Sequence, residues 1–329
     1  MKAVSFARFG LGSEVAELSE LPEPAAPGSG EALVEIEAAP INPSDLLHFA
    51  GRYGAAPPAL PAFAGGGVVG RVLACGAGVK TPVVGDRVLL VATQRNSWRQ
   101  RLLWPVDKLV VLPQADAVDL ALLSANPPTA LLMLKNFVDL KSGDWVMQNA
   151  ANSSVGVSLI QIARNMGLKT VNVVRRESLI GHLGGFGADA TLVDGPDLRE
   201  RVAAAVGNGK IRLGIDAVAG VATRRLANCV TDGGVVVNYG LLSGAPCEMD
   251  AGDVVFRDVA LRGFWYSRWM GQAQPAAVRA LFDQLVAMLK AGTLKVPVEA
   301  TYPMARIREA LAHAEREGRM GKVVLLPNA

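Results

Sequence analysis

The sequence predicts an α/β fold, a doubly wound parallel sheet joined to a second, β-rich domain. Three observations carry this. Residues 1–115 read as short alternating strands punctuated by Gly and Pro; from residue 117 onward strand-like and helix-like stretches alternate; and a turn of small residues, 148–156, lies between a strand and an apolar helix. With 329 residues, 50% of them hydrophobic, the chain can fill a large core, and its length corresponds to about two domains.

In chain order, residues 32–38, 67–73 and 86–91 are expected strands, and 83–88 reads as a turn leading into the last of them. The character changes after Leu112-Pro113. Residues 117–140 are rich in Ala and Leu and predict helices. Strand 144–148, helix 155–166 and strand 169–174 then form a βαβ unit of about 30 residues. Further strands are expected at 190–193, 213–218 and 234–239, with helical stretches between them. The tail offers an amphipathic helix over 275–291, a segment 296–304, a helix near 307–317 and a last strand, 322–326. There is no internal repeat and no low-complexity tract.

Bulk properties exclude several classes. The net charge of +3, from 33 basic and 30 acidic residues, is not the concentrated positive charge that nucleic-acid binding needs. Cys75, Cys229 and Cys247 are widely separated and odd in number, so neither a disulfide framework nor paired metal-ligand spacing is expected. A reducing compartment fits. The start, MKAVSFARFG, lacks a signal-peptide core, and no run of about 18 apolar residues suggests a membrane helix. The expectation is a cytoplasmic protein with no membrane and no nucleic-acid partner.

The turn Gln148-Asn-Ala-Ala-Asn-Ser-Ser-Val-Gly156 occupies the place of a dinucleotide-binding turn. Small residues are needed there for a tight bend, for backbone approach to a pyrophosphate, and for close helix–strand packing. Ala151, Ser153 and Gly156 fill those places, and amides at the helix start are free to bind phosphate. The plainer alternative is an ordinary βα turn that binds no nucleotide. At the end of the second strand stand Val174, Arg175, Arg176 and Glu177. An NAD enzyme carries an acid there for the ribose 2′-hydroxyl. Two guanidinium groups suit a 2′-phosphate instead, so NADPH is the expected cofactor. The alternative is that both arginines merely solvate the strand end.

Several strings taken together resemble a known family: Ile41-Asn-Pro-Ser-Asp45, Gly51-Arg-Tyr-Gly54, Asn126-Pro-Pro-Thr129, Gln148-Asn-Ala-Ala-Asn-Ser-Ser-Val-Gly156, Gly233-Gly-Val-Val-Val-Asn-Tyr-Gly240 and Leu261-Arg-Gly-Phe-Trp265. In this order they resemble the zinc-free branch of the medium-chain dehydrogenase/reductase superfamily, most of all its mitochondrial-type trans-2-enoyl-thioester reductases, with quinone oxidoreductases the next relatives. The resemblance implies a GroES-like β-rich catalytic domain from residues 1–115 and 265–329 around a Rossmann NADPH-binding domain, 116–264, with nicotinamide and substrate in the cleft between them. It implies that Asn126, Asn152, Ser153, Ser154 and Val155 touch the cofactor and that Arg175 and Arg176 face its 2′-phosphate. Tyr239, Gly240, Leu241 and Leu242 would line the nicotinamide side, with Phe264, Trp265 and Tyr266 nearby, and Lys322 would reach in from the tail. Glu177 stands where the family often has another basic residue. A homodimer through the Rossmann sheet edge is also implied.

Zinc enzymes of this superfamily hold the metal with Cys and His and usually carry a four-cysteine lobe. Here Ser44 to Phe49 holds no cysteine, residues 63–67 read Phe-Ala-Gly-Gly-Gly where those enzymes have Gly-His-Glu, and His48, His182 and His313 are scattered. No metal site is therefore expected. The implied reaction puts a hydride on Cβ and a proton on Cα of a 2-enoyl thioester carried by CoA or acyl carrier protein, a reaction of fatty acid metabolism. Tyr53 matches the family's catalytic tyrosine, as proton donor or as anchor of the thioester carbonyl. Arg257, Arg262 and Arg268 read either as a basic entrance for carrier phosphates or as a solvated strand edge. Trp98, Trp265 and Trp269 read as acyl-pocket walls or as core. Two rival readings stay open: an NADPH:quinone oxidoreductase on the same fold, and a crystallin-like protein that holds NADPH without turnover.

Overall fold

Along strand Glu31–Pro40, Ala32, Val34, Ile36 and Ala38 are buried while the residues between them stay partly exposed. This period-two burial makes a half-buried strand, and the strand is the spine of the first unit. The computed structural model describes residues 1–54, 58–91 and 95–329. Within it, the first unit comprises Met1–Ala125, Ser267–Ala287 and Val296–Ala329, and the second comprises Asn126–Tyr266 and Met288–Lys295. The change of composition after residue 112 marks where helices begin, but helix Ala117–Leu122 packs on strands Glu31–Pro40 and Val68–Cys75, which keeps it in the first unit.

Among the described residues, the first unit holds two sheets. One has the order Glu17–Glu20, Lys2–Phe6, Ala62–Phe63, all antiparallel. The other runs Val298–Pro303, Lys322–Leu326, Glu31–Pro40, Val68–Cys75, Arg87–Leu90, Leu109–Leu112, with Arg101–Pro105 also paired to Glu31–Pro40. The C-terminal strand therefore joins the sheet built by residues 31–112, Leu325 lying opposite Ala39. Phe6, Ile36, Phe49, Leu90, Trp98, Leu311 and Leu325 belong to its core.

The second unit is a six-stranded sheet in which every pair is parallel, ordered Ala190–Val193, Lys169–Val174, Trp145–Gln148, Ile211–Asp216, Val235–Asn238, Ala260–Gly263. The chain order reverses between Trp145–Gln148 and Ile211–Asp216. This is the doubly wound arrangement, and its reversal point is where such sheets open a ligand crevice. Lys169–Val174 is buried at five consecutive positions, as a strand covered on both faces must be.

Residues 117–136 correct one expectation. Ala117–Asn136 is long and apolar enough to cross a membrane by length and composition, which a search for an uninterrupted apolar run misses because Asp119 and Lys135 sit near its ends. It is split into helices Ala117–Leu122 and Asn126–Asn136, and 78% of its apolar window is buried inside the protein, so its apolarity belongs to the core.

The strand expected over 213–218 ends at Asp216. The reason is the Asp216 carboxylate, which is fully buried. One oxygen accepts from Asn149 Nδ2 at 2.6 Å and from the amides of Val218 and Ala219 at 2.9 and 3.1 Å; the other accepts from Thr223 Oγ1 at 2.6 Å and Asn238 Nδ2 at 3.0 Å. Asn149 Oδ1 in turn accepts the Ala217 amide at 2.8 Å. Removing the carboxylate strands several buried donors at once. Asp216→Ala is expected to cost roughly 3 kcal/mol or more in urea unfolding, with Asp216→Asn intermediate; an alanine variant as stable as the parent would refute the role.

Candidate active-site residues

In the second unit, strand Trp145–Gln148 runs into a turn in which Ala150 takes a φ of 46°. Helix Ser154–Asn165 comes next, capped by Ser153, whose Oγ accepts the Gly156 amide at 3.1 Å. The remaining amides at this helix start have no intrahelical acceptor and carry the positive end of the helix dipole. A Cβ on Gly156 would lie 2.4 Å from the Ala151 carbonyl oxygen, so only glycine lets helix and turn come this close. The small-residue pattern thus has a geometric cause, and the cradle fits a pyrophosphate. Asn152, Ser153 and Ser154 are half-buried in this turn and Val155 is buried. Asn126 is buried at the start of helix Asn126–Asn136.

Tyr239 comes to the same turn. Its hydroxyl hydrogen-bonds Ser153, and burial pushes its pKa well above the ordinary phenol value despite that bond. Gly240 is in close contact too, since a Cβ there would lie 2.5 Å from the Ala217 carbonyl oxygen. Leu241, Leu242 and Trp265 are exposed. Phe264 meets the Phe137 ring edge-on, centroids 6.0 Å apart. The buried Tyr266 hydroxyl has no hydrogen-bond partner among the described residues, and burial raises its pKa. Arg175, Arg176 and Glu177 are all exposed just beyond Lys169–Val174. Asp194, whose amide donates to the Val174 carbonyl, is held by Arg225 at 2.8 Å, so this acid already has a cationic partner of its own.

In the first unit, Tyr53 is half-buried in a loop after helix Pro43–Phe49, with its hydroxyl 2.9 Å from Ser267 Oγ. The Arg95 guanidinium lies over its ring, 3.9 Å from the centroid, and Arg95 Nη1 donates to the buried Asp45 carboxylate at 2.6 Å. The other Asp45 oxygen accepts the Asn42 amide at 2.8 Å. Asn42 Oδ1 accepts from Lys322 Nζ at 2.5 Å, which also donates to the Ile41 carbonyl at 3.3 Å. Tyr53 and Lys322 are therefore joined by one line of polar groups. Asn42 and Asp45 lie in the Ile41–Asp45 string, which by itself gives them no role; Arg95 and Ser267 carry no sequence signal, because only the folded chain brings them to Tyr53.

Other residues resolve differently. Arg257 is consumed by Asp253 and Asp232 at 2.6 and 3.0 Å, so of the two readings of the basic cluster it follows the structural one. Arg262 is exposed over the Phe137 ring, and Arg268 is exposed. Trp98 is core, and Trp269 is half-buried. His48 meets the Phe63 carbonyl at 3.1 Å, His182 meets the Phe186 ring edge-on, and His313 bridges Tyr302 and Glu299. Among the described residues no group of three His, Cys, Asp or Glu side chains is placed to hold a metal.

Lys322 is buried, and that burial, reinforced by the Arg319 charge and opposed by Asp45, lowers its pKa from 10.5 to about 7. Above that pH the unfolded chain binds a proton here that the folded chain does not, so this residue's contribution to stability rises with pH until the unfolded lysine also titrates. Against a Lys322→Met variant, the wild-type stability is expected to climb between about pH 7 and 10 by up to about 1.4 kcal/mol per unit, read by urea unfolding. A flat difference would mean an ordinary lysine.

Comparison with known proteins agrees with these two constructions. Residues 28–102 match the alcohol dehydrogenase GroES-like domain, and residues 186–325 match the family described as zinc-binding dehydrogenase. The mitochondrial enoyl-[acyl-carrier-protein] reductase of Caenorhabditis elegans is 38% identical over 82% of this chain and 78% of its own length. That of Rattus norvegicus is 33% identical over 94% of this chain and 84% of its own. The structure of Escherichia coli quinone oxidoreductase complexed with NADPH superposes with a TM-score of 0.89 at 25% identity, covering 99% of this chain and 100% of that one. With a GroES-like domain, a Rossmann sheet and relatives at this level of identity, the chain is an oxidoreductase of the medium-chain dehydrogenase/reductase superfamily and belongs there to the family of the mitochondrial enoyl-[acyl-carrier-protein] reductases.

Proposed function

We propose that the protein uses NADPH to reduce the conjugated double bond of 2-enoyl thioesters on CoA or acyl carrier protein, independently of metal. The observation that carries this reading is Tyr53, a half-buried phenol with its hydroxyl on Ser267, in a chain whose relatives are named enoyl-[acyl-carrier-protein] reductases. NADPH is supported by the Gly156 cradle, by the exposed pair Arg175 and Arg176, and by the NADPH complex of the E. coli neighbour. Ser153, Ser154 and the helix amides would hold the pyrophosphate, and the two arginines the 2′-phosphate. Bound there, NADPH supplies the hydride for Cβ.

The chain's own residues must hold the thioester carbonyl and bring a proton to Cα. A tyrosine hydroxyl is protonated at neutral pH and serves either task. Metal independence is supported by the donor chemistry, since residues 63–67, where zinc enzymes of this superfamily carry Gly-His-Glu, read Phe-Ala-Gly-Gly-Gly and offer no imidazole, thiolate or carboxylate.

A homodimer is part of the reading. All four residues of Ala260–Gly263, at the sheet edge, are exposed, and Val255 and Phe256 close before them in the chain are 69% and 86% exposed. An open strand edge beside large apolar side chains suits pairing with a second copy.

Two measurements test the proposal. Loss of reduced nicotinamide absorbance is followed with crotonyl-CoA, with a quinone, and with neither, using NADPH and NADH. Turnover of crotonyl-CoA with NADPH preferred is expected, and Tyr53→Phe should lower kcat by about 10²–10⁴ while leaving NADPH affinity unchanged. Activity on quinone alone would favour the quinone reductase, which the E. coli neighbour represents. Separately, sedimentation should give twice the chain mass, and Phe256→Asp should shift it toward the monomer; a monomeric wild type would exclude the dimer.

A further inference from the structure

The chain leaves helix Pro43–Phe49 with the amides of Gly51 and Arg52 still bonded to the His48 and Leu47 carbonyls. Tyr53 lies outside any helix or strand, between Gly51 at φ 67° and Gly54 at φ 85°. A catalytic hydroxyl on such a loop needs side chains to set its direction, because a displacement of about 1 Å costs about 100-fold in rate. Two contacts do this from different sides. Ser267 Oγ meets the hydroxyl at 2.9 Å, and the Arg95 guanidinium covers the ring face with Cζ 3.9 Å from the centroid.

We propose that Arg95 is a positioning residue for Tyr53, clamped by the buried Asp45 carboxylate so that its guanidinium plane fixes the phenol ring and aims the hydroxyl. The proposal rests on the reading that the Tyr53 hydroxyl acts on substrate. Asp45 is a firm anchor. Its side chain is 1% exposed, it receives Arg95 Nη1 at 2.6 Å, and its second oxygen is taken by the Asn42 amide at the start of helix Pro43–Phe49. The chain of restraint runs from a helix N-terminus through a buried acid to a planar cation and then to the ring. A planar cation suits the last step, because a guanidinium stacks on an aromatic face while its fork still grips a carboxylate.

A double-mutant cycle on the full-length enzyme tests this. Arg95→Ala is expected to lower kcat for crotonyl-CoA by about 10–100-fold with the KM for NADPH unmoved. In the Tyr53→Phe background, which keeps the ring and removes the hydroxyl, the same substitution should change kcat by less than about 3-fold, since there is no hydroxyl left to aim. Arg95→Lys keeps a cation for Asp45 but loses the plane, and provides the same cycle should the alanine variant fail to fold; its smaller loss should likewise vanish without the hydroxyl. An equal loss with and without the hydroxyl, alongside a large Tyr53→Phe effect, overturns the positioning role and leaves the catalytic tyrosine standing. A fully active Tyr53→Phe enzyme overturns both.

Discussion

A buried carboxylate at the carboxyl end of a parallel sheet is expensive unless every lone pair is used, and Asp216 uses them. Its five donors come from the residue after strand Trp145–Gln148, from the turn that ends its own strand, from helix Val221–Cys229 and from the last residue of Val235–Asn238. The knot therefore spans the point where the sheet order reverses. Asn149 is fixed there before the chain turns at Ala150, and Asn238 before it reaches Tyr239. The hydrogen bond between Ser153 and Tyr239 joins segments that leave from these two fixed points. The turn at 150–156 and the Tyr239–Gly240 segment thus inherit their positions from one buried acid.

The first unit solves the burial of charge in another way. Strand Lys322–Leu326 inserts between Glu31–Pro40 and Val298–Pro303, which closes the sheet with the tail of the chain and carries Lys322 to Asn42. Where Asp216 is saturated by neutral donors, Lys322 meets neutral acceptors, an amide and a carbonyl, and its charge is disfavoured. Asp45, one helical turn from Asn42, receives a full cation in Arg95 instead. An acid and a base thus lie along one polar line, sharing Asn42 but differing in their other partners. Asp45 is the better compensated of the two, because an ion pair backed by an amide hydrogen bond answers a buried charge more fully than neutral carbonyl oxygens do.

How much of this the sequence discloses depends on how burial shapes a pattern. Lys169–Val174 is legible to the residue because its β-branched residues Thr170, Val171, Val173 and Val174 form a short run that stops at the charged pair Arg175-Arg176. The turn 148–156 is legible because a side chain at Gly156 would collide with the Ala151 carbonyl, so the glycine has to stand at that place in the string. Ala260–Gly263 is not legible as a strand, since all four residues are exposed and no alternation marks it. The end of Ile211–Asp216 is misjudged for the opposite reason: a buried acid in an apolar run looks like an interruption within a strand, when it is the group that stops it. In the site, Tyr53 can be singled out by its string, whereas Arg95 and Ser267 cannot, because their contacts with Tyr53 span 42 and 214 positions of chain. Spacing rules reach a few residues along an element, and pairings of that length are written only in the tertiary fold.

The division of labour between the units bears on substrate choice. On the proposed reading the turn and the arginines hold the dinucleotide and the Asp216 knot sets their frame, which any NADPH-dependent reductase on this fold needs. A quinone reductase and an enoyl reductase differ in the step after hydride transfer. Reducing an enoyl thioester places negative charge on a thioester oxygen and requires a proton at carbon, so a donor held in a defined direction lowers the barrier. A reduced quinone carries its charge on an aryl oxygen that exchanges protons with water directly, and gains less from such a donor. A phenol held both by its hydroxyl and by its face, with a buried acid behind the second contact, is matched to protonation at carbon. On the proposed enoyl reduction, the first unit, rather than the turn at 148–156, is where the choice between these substrates falls.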